Sequence, residues 1–221
     1  MSTSSVVLLS SRDRILLSAK ELFAKNGYEN TSTVAIARQA GTSESQLMKH
    51  FGSKQGLLFA ILDQGWSAIL HRAYALSSVP VRSSQVLVDV LESYIVELEQ
   101  DPEMRTLLVM QSRRPHKDDS GLSLMAGRQQ FNSLVENLLK DLKNQGALRS
   151  DLSISAIRAA LFGVVEGVLF EEVASLMEGR ELQYLEGDRR KVLETLVSGL
   201  VAETVGTAPS DGRAANWSHA D

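Results

Sequence analysis

The chain has 221 residues, 43% of them hydrophobic, which suits a globular protein with one domain or with a small domain joined to a larger one. It has no cysteine, which excludes disulfides and thiol catalysis and fits a cytoplasmic location. The net charge of −4 is uneven: residues 1–56 carry 7 Lys/Arg against 4 Asp/Glu, for +3, and the remainder carries 16 against 23, for −7. A basic N-terminal part permits local attraction to nucleic acid despite the negative total.

The N-terminal residues predict an arm followed by a helix. Residues 1–10, MSTSSVVLLS, lack a basic segment and a long apolar run, so we interpret them as a flexible arm and not as a signal peptide. A first helix is expected to open at Ser11 and to end at Asn26-Gly27, because apolar residues recur between them at helical spacing. The residues of this apolar stripe are Ile15, Ala19, Leu22 and Phe23.

Residues 31–54 predict two short helices joined by a tight turn. Ser32 is a suitable N-cap for the first of them, and Gly41 ends it because glycine readily adopts a positive φ. Ser43 begins the second, and Ser43 with Gln46 fits a capping box. Two small helices joined by a glycine occur in many folds, so the spacing alone also allows an ordinary structural motif.

The second short helix has a polar outer face on a rod about 12 Å long, a size that suits the major groove of DNA. Gln46 could bond adenine bidentately there, and Lys49 adds attraction to phosphate. Ser53 is expected to cap the next helix, where backbone N–H groups and Lys54 would form a phosphate clamp.

The first quarter of the chain carries a set of residues in a specific order and spacing. They are Ala19, Phe23, Gly27, Tyr28, Thr31, Ser32, Ile36, Ala37, Ala40, Gly41, Ser43, Leu47, His50, Phe51, Ser53, Lys54 and Leu57. With these residues the chain resembles the TetR family of bacterial transcriptional regulators. The resemblance implies an all-α protein in which residues 11–53 form a helix-turn-helix DNA-binding domain and residues 54–205 a helical effector-binding and dimerisation domain. It also implies a ligand-responsive repressor.

The resemblance further implies which residues contact DNA. It assigns phosphate contacts to Thr31, Ser32, His50 and Lys54. It assigns the groove to Ser43, Glu44, Ser45, Gln46, Met48 and Lys49.

Three residues depart from the usual family pattern. Met48 stands where the family usually has a tyrosine that contacts the DNA backbone, and Thr42 replaces an apolar residue in the turn. Glu44 places a negative charge at the helix start, where it could accept a hydrogen bond from a cytosine amino group. The fold assignment survives these changes, but the operator sequence becomes harder to infer.

From Lys54 onward the pattern is helical throughout, with no β alternation. The expected helices run from Lys54 to about Leu76, Ser84 to Glu99, Pro102 to near Arg113, Leu122 to Asn144, Ser153 to Glu178, and across Val192–Val201. Residues 206–221 are expected to be a disordered tail. The loop HKDDSG contains His116, Asp118 and Asp119, which we interpret as a solvated loop in preference to a metal site.

The eighth predicted helix has a stripe of small residues, Ala156, Ala160, Gly163 and Gly167. Glycine inside a helix costs about 1 kcal/mol relative to alanine, and close helix approach would compensate for it. Charged residues in this helix exclude a membrane span. The resemblance implies a homodimer through the last two long helices, although these could instead complete a monomer's core. A dimer would place two recognition helices about 34–36 Å apart on a palindromic operator.

The resemblance places a ligand pocket among helices four to eight. The candidate lining residues are Trp66, Tyr94, Met110, Gln111, Met125, Gln129, Phe162, Glu166 and Phe170, for each of which ordinary core packing is the alternative. Glu166 lies in the apolar run GVVEGVLF, so it must be paired, protonated or exposed. If it is buried, it could orient a ligand amine or hydroxyl, and the apolar lining favours a lipophilic effector.

An all-helical enzyme or a protein-interaction scaffold is the alternative function. The sequence has no H-E-x-x-H, no phosphate-cradling glycine loop and no G-x-S-x-G. Its histidines, His50, His71, His116 and His219, share no evident spacing with carboxylates. We therefore expect no catalytic site, no cofactor and no metal. The expected partners are a double-stranded DNA operator, a second copy of the chain and a small-molecule effector, with no membrane.

Overall fold

The computed structural model describes residues 9–79, 83–112, 119–182 and 186–201, with side chains for all of these except 112–125 and 186. Nine α-helices lie within these residues, and a lone bridge between Leu148 and Val201 is the β structure among them. The helices are α1 Ser11–Asn26, α2 Thr33–Gln39, α3 Glu44–Phe51, α4 Lys54–Ser77, α5 Ser84–Glu99, α6 Pro102–Ser112, α7 Asp119–Asn144, α8 Ile154–Glu178 and α9 Glu186–Ser198. The predicted all-α fold is confirmed.

Serine hydroxyls begin most of these helices by accepting a hydrogen bond from the backbone N–H three residues further on, which satisfies a donor that the helix leaves unpaired. The accepting serines are Ser10, Ser32, Ser43, Ser53, Ser83 and Ser153. In α6 the Asp101 carboxylate has this role, accepting from Met104 N at 3.0 Å, and Pro102 occupies the first helical position.

One of the two hydrogen bonds of the predicted capping box forms at the start of α3. The Ser43 hydroxyl accepts from Gln46 N at 3.2 Å, as predicted. The Gln46 side chain does not return to the cap, because its amide bonds Thr42 and Ser11 instead. The sequence signal therefore predicted the helix start correctly and the position of the glutamine side chain wrongly.

The first three helices pack around a small apolar core. Ile15 and Phe23 from α1, Ile36 from α2 and Leu47 from α3 are fully buried there, and Leu57 at the start of α4 is buried as well. These are the inward edges that the helical spacing predicted. Burying each such side chain contributes roughly 1.5–3 kcal/mol to the free energy of unfolding. Because α2 and α3 share this core, the angle between them is fixed.

The N-terminal three helices, hereafter the head, contact the remaining helices, hereafter the body, through α1 as well as α4. Helix α1 packs against both α4 and α6. Lys20 of α1 forms an ion pair with Asp101 at 2.5 Å. A side chain at Gly65 of α4 would overlap Met104 of α6, so this glycine permits the close approach of those two helices. The head is thus tied to the body at two places.

The body is organised around a stack of four buried aromatic rings. The Trp66 and Tyr94 ring centroids are 5.2 Å apart, those of Tyr94 and Phe131 are 5.3 Å apart, and those of Phe131 and Phe162 are 5.7 Å apart. These separations are typical of favourable aromatic pairs. The stack joins α4, α5, α7 and α8 into one core.

A buried ion-pair network holds α9 against the body. The Glu172 carboxylate accepts from Arg105 of α6 and from Arg189 of α9, each at 2.7 Å. Arg189 also pairs with Glu99 of α5. The next residue, Arg190, bonds Asp89 and Glu92 on α5, so that two consecutive arginines connect α9 to α5. Because burying a charge is costly without partners, the network fixes which helices meet.

The outer face of α8 and α9 is apolar and exposed in the single subunit. On α8 this face contains Ala156, Ala160, Gly163, Gly167 and Phe170, and on α9 it contains Val192 and Leu196. An added Cβ at Gly163 or Gly167 would meet nothing within 4 Å. No other part of the described chain therefore makes the close helix approach expected at these glycines.

The described residues contain neither a membrane-spanning helix nor a cluster of metal ligands. No helix among them is both long enough and apolar enough to cross a membrane. The same residues contain no group of three or more metal-ligating side chains. His116, Asp118 and the side chain of Asp119 lie outside the described residues. The interpretation of this segment as a solvated loop therefore stays a prediction.

Candidate DNA-binding surface

Helix α3 lies on the surface of the head with one side buried. Leu47 is fully buried, whereas Ser45, Gln46, Met48 and Lys49 are exposed. At about 100° per residue, positions two before and two after Leu47 lie on the opposite side of the helix. Ser45 and Lys49 therefore occupy the outermost line of α3, as a helix that enters a groove requires.

The junction between α3 and α4 is fixed by glycine. Gly52 ends α3 with φ 73°, a left-handed value that favours glycine. A Cβ at Gly56, in the first turn of α4, would overlap the Phe51 carbonyl oxygen. Ser53 accepts from Gly56 N at 2.9 Å and so begins α4 immediately after α3. The exposed face of α3 is consequently held at a defined angle to α4.

Lys54 lies where the predicted phosphate clamp requires a cation. Its ammonium is 4.3 Å from the centroid of the Tyr28 ring and donates to the Glu29 carbonyl oxygen at 3.4 Å. The Tyr28 ring itself packs on Phe23, with centroids 5.2 Å apart. Because an ammonium has three donors, Lys54 keeps donors for a phosphate while its position is fixed.

A chain of hydrogen bonds joins the start of α1 to the flank of α3. The Thr42 hydroxyl donates to Gln46 Oε1 at 2.6 Å, and Gln46 Nε2 donates to Ser11 Oγ at 3.3 Å. Ser11 Oγ is 3.1 Å from His50 Nε2. Gln46 and His50 are thus held by a residue 35 and 39 positions earlier in the sequence.

Two of the predicted DNA contacts are engaged within the head. Thr31 is 3% exposed, and its hydroxyl donates to the carbonyl oxygens of Leu22 and Gly27. The predicted contact of Thr31 with phosphate is therefore wrong, since this hydroxyl braces the α1–α2 loop. Glu44 accepts a hydrogen bond from Thr33 at the start of α2, so the contact with cytosine proposed for this carboxylate would have to compete with Thr33.

The remaining predicted DNA-contacting residues are exposed or partly exposed. Ser32 and Ser43 are exposed while they cap their helices, and His50 is exposed on the α1 flank. Among the described residues of the head, the exposed cations without an ion pair are Arg12, Arg14, Lys25, Arg38 and Lys49. They supply the head's free positive charge.

Sequence reasoning missed Ser11, Thr33 and Thr42 as parts of this surface. Each acts through a partner on another helix or across a turn: Ser11 through Gln46 and Thr33 through Glu44. No spacing pattern reports such contacts, because they depend on how α1 and α2 pack beside α3.

Four of the predicted ligand-lining residues are buried in the body. Trp66, Tyr94 and Phe162 belong to the aromatic stack of the body core, and Gln111 is also buried. Gln129 is exposed. Met110 is half-buried, and the side chain of Met125 lies outside the description.

Two further residues of the predicted lining are explained by their neighbours. Glu166 forms an ion pair with Arg128 of α7, so the carboxylate in the apolar run is paired. Phe170 is 38% exposed and belongs to the outer face of α8. Phe170 and Gln129 are both exposed in the single subunit, so their place in a pocket wall stays a prediction.

An open cleft lies elsewhere, between the head and the body. It has a volume of about 350 Å³ and is formed by α1, α4, the end of α5 and the start of α6. Leu16 and Ile61 contribute to its walls, as do the paired Lys20 and Asp101. None of the predicted lining residues borders this cleft.

Helix α3 follows a glycine turn, packs on the head by one side and exposes its polar side to solvent. This arrangement is that of a helix-turn-helix DNA-binding protein. Comparison with known proteins gives the family. The sequence profile of bacterial regulatory proteins of the tetR family matches residues 15–61. The head is therefore that of a TetR-family transcriptional regulator.

Relatives and solved structures extend the similarity beyond the head. The chain is 26% identical over 183 residues to the HTH-type transcriptional regulator UidR of Escherichia coli (strain K12), covering 82% of this chain and 90% of UidR. It is 23% identical to the fatty acid metabolism regulator protein of Bacillus subtilis (strain 168), covering 85% of this chain and 94% of that protein. The crystal structure of FadR from Bacillus subtilis in complex with stearoyl-CoA has a similar fold, with TM-score 0.72, 19% identity and coverage of 85% and 98%.

Proposed function

We propose that this regulator binds a palindromic operator through α3 and represses transcription as a homodimer, with residues 11–53 as the DNA-binding domain and residues 54–205 as the effector-binding and dimerisation domain. One observation carries the proposal: Leu47 anchors α3 while its polar outer line, Ser45 and Lys49, is exposed. The basic head supplies attraction to phosphate, and the acidic body has no such role.

The experiment is a titration of a fluorescent random-sequence duplex at increasing salt. We expect weak binding that falls steeply, with a slope set by the number of phosphates neutralised. Lys49→Ala and Lys54→Ala should each flatten the slope by about one and weaken all sequences alike. Binding that does not respond to salt, or an absence of binding to any duplex, would overturn the proposal.

The second subunit is proposed to cover the outer face of α8 and α9. A single α3 reads few base pairs, whereas a two-fold dimer presents two recognition helices to one palindrome. The exposed Gly163 and Gly167 would let a partner helix approach closely, which would give these glycines a contact that the described part of the subunit does not supply.

We also propose that a lipophilic effector controls DNA binding. One relative is named as a fatty acid metabolism regulator, and one structurally similar protein was crystallised with stearoyl-CoA. An effector acts only if it binds one spacing of the two heads better than another. The cleft between α1 and α4 offers a place where an occupant would contact the head and the linking helix together.

Stearoyl-CoA is the first probe, with coenzyme A as the control that lacks the acyl chain. We expect stearoyl-CoA to release the protein from a duplex selected from the host genome, and coenzyme A to have no effect. An operator affinity that stearoyl-CoA leaves unchanged would remove this effector class. The relatives are regulators, so we propose no catalytic activity for the chain, and a cytoplasmic location where its operator lies.

A further inference from the structure

Ser11 is the residue on which the hydrogen-bond chain beside α3 converges. It lies at the first position of α1, outside the helix-turn-helix segment, yet its hydroxyl oxygen contacts side chains at the third and seventh positions of α3. Gln46 Nε2 donates to Ser11 Oγ at 3.3 Å, and Ser11 Oγ also lies within hydrogen-bond distance of His50 Nε2, at 3.1 Å. A single hydroxyl therefore connects two residues of the recognition helix.

The same series of hydrogen bonds holds both the oxygen and the nitrogen of the Gln46 side-chain amide. Its oxygen accepts from the Thr42 hydroxyl at 2.6 Å, and its nitrogen donates to Ser11. A carboxamide has two N–H donors and two acceptor lone pairs, so one of each stays unused. One donor beside one acceptor is the combination that the major-groove edge of adenine recognises.

We propose that Ser11 is a positioning residue for base recognition, holding the Gln46 amide so that its unused donor and acceptor are presented together to an adenine in the major groove. The inference rests on the proposed DNA-binding function. It adds a specificity-determining residue outside α2 and α3. Without the Ser11 hydroxyl, the Gln46 side chain would become ordered only when DNA binds. The entropy cost of this ordering would lower the affinity only for duplexes that carry the base read by Gln46.

The experiment compares affinities for a duplex selected by the wild-type protein and for the same duplex with single base pairs replaced. We expect Ser11→Ala to reduce discrimination about two- to tenfold at one base pair in each half-site, because an ordered side chain is lost. Binding to random-sequence duplex and its salt slope should stay as in the wild type. Ser11→Thr, which keeps the hydroxyl, should restore the discrimination.

The matched control is Ser10→Ala. The Ser10 hydroxyl caps α1, accepting from Asp13 N at 3.1 Å, and its hydrogen bonds within the described residues are to Asp13 and not to Gln46. This variant should lower thermal stability and leave base preference unchanged. If Ser11 acted only as part of α1, Ser11→Ala would give the same result as Ser10→Ala, and the proposal would be overturned.

A double-mutant cycle shows whether Ser11 acts through Gln46. In a Gln46→Ala background, Ser11→Ala should cause no further loss of discrimination. Additive losses, or a Gln46→Ala variant that keeps the wild-type preference, would contradict the inference. A wild-type protein that selects no sequence would instead sink the DNA-binding function itself, so the two failures are distinguishable.

Discussion

At the residue scale, Glu172 shows how the body specifies its helix arrangement. Its side chain is 2% exposed, and it is bonded by one arginine from α6 and one from α9. The adjacent Glu171 is exposed and pairs with Arg180 at 3.4 Å. The two neighbouring glutamates therefore provide a buried and an exposed ion pair on the same helix.

We expect Glu172→Ala to lower the free energy of unfolding by about 3–5 kcal/mol, because the largely buried Arg105 would lose its carboxylate and Arg189 would keep only its pair with Glu99. Glu171→Ala should cost less than about 1 kcal/mol, since solvent screens that pair. Chemical denaturation of the two variants measures both. Equal losses would mean that burial does not distinguish the pairs.

Tyr94 gives a second prediction, for stability against pH. Burial, reinforced by the negative charge of Glu166, raises the pKa of the Tyr94 phenol above its ordinary 10.0. A folded-state pKa above the unfolded value gives stability that is complete below pH 10.0 and is lost as the pH rises beyond it.

The wild type should thus lose stability above that pH relative to Tyr94→Phe, by up to about 1.4 kcal/mol per pH unit. Denaturation of both proteins at neutral and alkaline pH makes the comparison. Parallel profiles would show that the phenol titrates normally in the folded chain.

At the element scale, the junction of α3 with α4 sets the angle at which the recognition helix is presented. Gly56 lies in the first turn of α4, against the last residue of α3. Leu57, the next residue, is buried in the head core. A movement of α4 at this point would therefore move α3.

We expect Gly56→Ala to lower stability by about 1–3 kcal/mol and to weaken DNA binding, because the new methyl group would displace the end of α3. Gly187→Ala is the control, since a Cβ there meets nothing within 4 Å. Thermal unfolding and duplex titration follow both variants. If Gly56→Ala matched Gly187→Ala in both, the junction would have more freedom than the close contact implies.

The elements also show what sequence reasoning can predict. Helix ends followed from local chemistry: Ser32, Ser43 and Ser53 cap the helices that they were expected to cap. The ligand pocket did not, because the same apolar pattern describes a lined cavity and a filled core. Helical spacing cannot separate these two, and of the predicted lining residues Trp66 and Tyr94 pack against Phe131 in the core.

Long-range side-chain contacts were equally beyond the sequence. The Ser11 bond to Gln46 and the pairing of Arg105 with Glu172 join residues 35 and 67 positions apart. Their existence depends on the packing of whole helices. The family resemblance supplied the orientation of α3, but it gave no reason to select Ser11.

At the scale of the whole molecule, the proposed function requires two heads held together by one body surface. The exposed apolar face of α8 and α9 is the surface that we propose for this contact. Leu196 lies within it and is 40% exposed, whereas Leu176 is 60% exposed on another side of α8. The same substitution can therefore be made at one exposed leucine inside the proposed interface and at another outside it.

We expect Leu196→Arg to convert a dimer into a monomer and to abolish tight binding to a palindrome, because a buried charge in the interface would have no partner. Leu176→Arg should remain dimeric. Sedimentation velocity gives the mass of each variant. A Leu196→Arg variant that stays dimeric would place the interface on a different surface.

The absence of cysteine permits the most direct test of α3 as the reading helix. Ser45→Cys, labelled with an iron chelate that cleaves nearby DNA, should cut a selected duplex in two clusters about 34–36 Å apart or a multiple of that distance, each within a half-site. The same label on Ser133→Cys, an exposed position of α7, should cut no defined position. A bound Ser45→Cys protein that leaves both half-sites uncut would contradict the account.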